Sequence, residues 1–149
     1  MQATPTETKT IVRHHVALET ARAVVAAAEA KAAELGLAAA IAVVDAEGTL
    51  KAFARMDGAA LLPVRIAQQK AWTAISFGMG THEWWDMVRE DPPLLHGITH
   101  QQDVVVFAGG LPIRDGEELI GGIGVSGGHY TQDQEIAQAG LDVLSQGAK

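Results

Sequence analysis

Apolar residues recur at three- and four-residue spacing through Leu18, Ala21, Val25, Ala28 and Ala32, while Glu29, Lys31 and Glu34 fall mainly off that line. That is the period of one helix face, and it predicts a helix over about residues 17–35. Gly36 suits the stop, since glycine accepts the left-handed conformation that follows a helix end. Ala40–Asp45 is apolar and β-branched, Ala46-Glu47-Gly48 is a turn, and Thr49–Arg55 returns with partial alternation, so a hairpin is expected. Helical spacing resumes at Val64, Ala67, Gln68, Ala71 and Ile75, predicting a second helix over 61–77 that stops at Gly78-Met79-Gly80. Thr81 is placed to cap a third, short helix through its hydroxyl, and Asp91-Pro92-Pro93 to end it.

The second half reads as strands. Val104–Ala108 is a continuous apolar run of the kind found in a central strand. Leu111–Arg114 contains Pro112 and belongs at a sheet edge. Asp115-Gly116 is a hairpin signal leading into the glycine-loaded strand 119–126, and a last helix starts at Thr131 or Asp133 and runs to about Ser145. Helix, two strands, two helices, three strands and a helix make an α+β architecture with a five-stranded antiparallel sheet covered by helices. Residues 1–149 form one domain on this reading, with 1–12 as a flexible arm.

Composition narrows the partners. The net charge of −7 disfavours nucleic acid, and the longest apolar tract, 38–44, is far short of the ~20 residues a membrane helix needs. The chain has no cysteine, which excludes disulfides and fits a reducing cytoplasm.

Three groups of residues then bear on identity. They are 42–48 (AVVDAEG) leading to 54–58 (ARMDG), 67–74 (AQQKAWTA), and 109–113 (GGLPI) leading to 120–127 (IGGIGVSG), with Asp133 beyond. In this order and spacing the chain resembles the GlcG/HbpS family, which includes the C-terminal domain of PduO, from about Leu18 to Leu144. The resemblance implies a profilin-like fold, a homo-oligomer and haem as the cofactor. The Trp- and His-rich loop 81–102 departs from the family pattern.

Candidate ligand-binding residues follow. Lys70, among small neighbours, is suited to a ligand carboxylate such as a haem propionate, or to a salt bridge with Asp45 or Asp57. Arg55 offers a planar fork to an anion, or pins the turn after the hairpin. Trp84 and Trp85 are adjacent, so one helix face cannot bury both, and Trp85 is a candidate for a ligand or a partner subunit. Gly110, Gly122 and Ser126 belong to glycine-rich segments where a flat ligand has room to approach backbone. The pocket is expected where loop 81–102 meets those segments, walled by Leu94, Leu95, Ile98 and Leu111.

Histidines carry the metal readings. His96 and His100 are four apart, as two ligands on one helix face would be, and His82 is a third candidate for a divalent metal. His14 and His15 precede the first helix, and either is a candidate axial ligand to haem iron. His129 is weighed in the same way. The leading expectation is a homo-oligomeric haem-binding protein acting as carrier, sensor or accessory factor. The alternative is an enzyme acting on an organic acid or aromatic catabolite.

Overall fold

The computed structural model describes residues 7–146. Helix α1 (Leu18–Glu34) is followed by strands β1 (Ala40–Asp45) and β2 (Leu50–Arg55), then α2 (Leu61–Phe77), α3 (Glu83–Val88) and α4 (Pro92–Ile98). Strands β3 (Gly110–Asp115) and β4 (Glu118–Ser126) precede α5 (Tyr130–Gln146). The strands form one antiparallel sheet in the order β2-β1-β4-β3.

Side chains alternate across a strand, so each strand feeds both faces of the sheet. Ile41, Val43, Leu111, Ile113, Ile123 and Val125 face α1 and α5 and make the larger core. Ala40, Ala42 and Val44 face α2, where they meet Ala67, Ala71 and Ile75. Gly122 and Gly124 pair across β1 with Val44 and Ala42, which puts them on the α2 face as well. A methyl group at Gly122 would lie 2.6 Å from the Ala71 carbonyl oxygen, and one at Gly124 would run into the Ala67 carbonyl. Helix α2 therefore rests almost directly on sheet backbone. The alanine stripe of α1 is used within the chain: Ala21, Val24, Ala28 and Ala32 are fully buried, and Gly140 of α5 lets the two helices approach.

The sheet has four strands, not five. Val104–Ala108 is irregular, because its backbone is tied to a helix side chain rather than to a neighbouring strand. The Val105 amide donates to Thr73 Oγ1 (3.1 Å), and that hydroxyl donates to the Asp103 carbonyl (2.9 Å). Thr81 does not cap α3 either. Its buried hydroxyl accepts from the Gly110 amide at 2.9 Å and locks the segment before α3 to β3. Pro92-Pro93 begins α4, with the Asp91 carboxylate accepting from the Leu94 amide. Proline at the first helical position needs no donor there and brings a suitable φ. Pro112 sits in edge strand β3, as expected.

Candidate functional site

A cavity of about 700 Å³ opens between α2 and the β1–β2 hairpin. Leu61, Leu62, Arg65, Gln68, Gln69 and Trp72 line it from α2, following the three-, four- and seven-residue steps of one helix face. Val44, Gly48 and Leu50 line it from the hairpin, and Asp103 from the loop before β3. Trp72 stands against Gly48, whose φ of +81° serves the turn; a side chain there would meet the indole Cδ1 at 2.9 Å. Asp103 is held at φ +67°, and its carboxylate accepts from Gln69 Nε2 at 3.3 Å. Non-glycine residues rarely adopt that conformation, and such strain clusters at functional sites.

Lys70 lies deeper on α2, fully buried. Its ammonium donates to Asp133 Oδ2 and to the Val125 carbonyl, both at 2.9 Å, and stands 5.0 Å from the centre of the Phe107 ring. Burial lowers its pKa, and the Asp133 carboxylate opposes that shift. The other Asp133 oxygen accepts from the Gly128 amide at 2.9 Å. The partner of Lys70 is thus Asp133, not Asp45 or Asp57, and the amine is engaged inside the fold rather than presented to a propionate. Asp45 instead holds the hairpin turn, accepting from the Glu47 and Thr49 amides. Arg55 donates twice to the Ala59 carbonyl, at 2.8 and 3.1 Å, which pins the turn after β2.

The glycines expected to floor a pocket are covered. A side chain at Gly110 would meet the Lys70 carbonyl at 2.5 Å, and Gly122 lies under Ala71. Ser126 is buried at the end of β4, opposite Ala40. Both glycines seat α2, so the expected meeting of loop 81–102 with an open glycine surface does not occur. Trp84 is buried edge-to-face on Phe77, whereas Trp85 is half exposed on α3. Two adjacent residues on a short helix are thereby divided between core and surface.

The histidines do not converge on one site. Among the described residues, no three His, Cys, Asp or Glu side chains gather into a metal site. Helix α4 ends at Ile98, so His96 and His100 do not share a helix face. His82 Nδ1 lies 3.3 Å from Gln134 Nε2, and the His129 ring packs on Tyr130 at 4.0 Å between centres. This corrects the three-histidine divalent-metal reading.

The arm before α1 is different. Val16 is buried and its amide donates to the Ile120 carbonyl at 2.9 Å, fixing the preceding residues beside the sheet. His14 Nδ1 is 2.8 Å from both Glu118 carboxylate oxygens, and His15 Nδ1 is 3.8 Å from Asp45 Oδ2. Arg13 donates to the Ala46 carbonyl at 3.0 Å.

Residues 16–142 match the family model described as haem degrading protein HbpS-like. A 15.0 kDa protein of the dhaT–dhaS intergenic region of Citrobacter freundii is 38% identical over 133 residues, covering 88% of this chain and 93% of that protein. The crystal structure of the Klebsiella pneumoniae protein ORFY superposes with a TM-score of 0.86 at 38% identity, over 95% of this chain and 98% of that one. The crystal structure of a PduOC:heme complex superposes at 0.80 with 35% identity, over 86% of this chain and 94% of that one.

Proposed function

This chain belongs to the HbpS-like family, and from that premise we propose that it binds haem at its N-terminal arm. The observation that carries the reading is the contact of His14 with Glu118. A carboxylate only accepts, so this contact needs the proton on Nδ1, and in the neutral ring that leaves the Nε2 lone pair for a metal. A carboxylate behind a histidine fixes the ring and raises its basicity as a metal ligand. The His14 side chain is 67% exposed, which leaves the outer face of the ring open to a large flat group. His15, turned toward Asp45, offers the same arrangement at longer range. The donor set of the arm therefore fits haem: imidazole for iron, and Arg13 as the neighbouring cation for a propionate.

Bound haem would supply a redox-active iron centre. The chain's own residues would hold and orient it: His14 as ligand, Glu118 keeping the proton on Nδ1, and Val16 anchoring the arm. The relative solved with haem supports this reading, since it shares the fold at 35% identity. A carrier, sensor or accessory role in a homo-oligomer follows, with the half-exposed Trp85 and Met87 of α3 as apolar surface for a partner copy.

The test is a haem titration of the apoprotein followed at the Soret band, with sedimentation on the same samples. Glu118→Ala is expected to weaken haem about 10- to 100-fold, as loss of a carboxylate behind a metal-bound histidine does. The pair His14→Ala and His15→Ala together should abolish the histidine-type spectrum. A double variant with the parent's spectrum and affinity would falsify the assignment, and a monomer with and without haem would remove the oligomer.

A further inference from the structure

The cavity between α2 and the β1–β2 hairpin has none of the six histidines in its lining, although the arm that carries His14 and His15 touches the same hairpin turn at Asp45 and Ala46. We propose that it is a second ligand site, one that takes an aromatic monocarboxylate, with Arg65 reading the carboxylate and Trp72 stacking on the ring. At about 700 Å³ the cavity is within the ~300–1,000 Å³ range of small-molecule sites. Its walls are of the kind such sites have: aliphatic side chains from Val44, Leu50, Leu61 and Leu62, with a few polar groups among them.

The polar groups specify the ligand. Arg65 is the cation of the lining, and it has no ion-pair partner among the described residues, unlike Lys70 one and a half turns along the same helix. A guanidinium presents a planar fork that matches a carboxylate with two parallel bonds. Gln69, one turn further on, is already turned to Asp103. The lining therefore has a cation at Arg65 on α2 and an anion, Asp103, beside Gln69, which is about 6 Å further along the helix axis. One carboxylate is welcome at Arg65, and a second would meet Asp103. Trp72 supplies the aromatic surface, and its seat on Gly48 fixes the ring plane. Hydrogen bonds from Thr73 to the Asp103 carbonyl and from Gln69 to its carboxylate hold the acidic end in place.

The experiment is calorimetric titration of the full chain with 2-naphthoate, its neutral analogue 2-naphthamide, and 2,6-naphthalenedicarboxylate. The monoacid is expected to bind saturably, and the amide and the diacid several-fold more weakly. Arg65→Gln is expected to weaken 2-naphthoate about tenfold or more while leaving the amide unchanged, because the charged, paired contact alone is lost. Arg65 is exposed on the rim of α2, so the variant keeps the fold, and circular dichroism checks this. Haem titration of Arg65→Gln should match the parent, so either site can fail alone. The proposal is overturned if the parent binds no 2-naphthoate, as when a second copy of the chain fills the cavity. It is equally overturned if Arg65→Gln weakens acid and amide alike, or if it loses haem together with 2-naphthoate.

Discussion

The two faces of the sheet are built on opposite principles. Toward α1 and α5, the strands project Ile41, Val43, Ile113, Ile123 and Val125, and the helices are held off by interlocked branched side chains. Toward α2, the same strands project Ala40, Ala42, Gly122 and Gly124, and helix backbone lies on strand backbone. The first face is a packed core whose parts can shift a little when a methyl group is lost. On the second, where Gly122 and Gly124 meet the Ala71 and Ala67 carbonyls, no side chain stands between helix and strand to rearrange, so the spacing there is fixed. The face with fewer atoms is the more exacting, and it is the one that carries Lys70 and the cavity wall.

The most severe way to break this contrast is Gly124→Ala. The new methyl would run into the Ala67 carbonyl, which cannot rotate away, so α2 must lift. We expect a loss of about 3 kcal/mol or more, the upper end of overpacking costs, in urea unfolding. A loss under 1 kcal/mol would mean that the α2 face yields like an ordinary core. Next is Lys70→Met, which keeps a side chain of similar length but leaves Asp133 buried without its cation. About 3–5 kcal/mol should be lost, and adding Asp133→Asn should restore part of it by removing the uncompensated charge. A double variant no better than the single one would show that packing, not charge, sets the cost. The smallest effect is expected on the opposite face, where Ile123→Val should cost only about 0.5–1.5 kcal/mol. If thermal unfolding gives Ile123→Val a larger loss than Gly124→Ala, the contrast is reversed.

Much of this was legible in the residues. The periods of α1 and α2 and the hairpin turns set those elements to within a residue or so. The glycines of β4 were legible as a demand for closeness, but not as a demand by a helix. A flat ligand and a slim helix ask for the same missing side chains. The separating signal lay in α2 itself, where Ala67 and Ala71 sit one turn apart and leave backbone exposed toward the sheet. The apolar run 104–108 says that the segment is buried without saying what satisfies its amides; at Val105 the partner is Thr73 of α2, not a neighbouring strand. The prolines before Leu94 were read as an ending when, at a first turn, they are a beginning. The cavity residues escaped notice because Leu61, Arg65, Gln68, Gln69 and Trp72 mix polar and apolar groups as any solvated face does. Only the hairpin folded opposite makes that face concave.

Pro112 has one more consequence. Strand β3 ends the sheet, and there the ring nitrogen of Pro112 has no hydrogen to offer a further strand. The ladder is also irregular between Ile113 and Arg114, which bends the border just beyond the proline. A second chain laid against this border would find a missing donor and a shifted register, so end-to-end growth into fibrils is frustrated there.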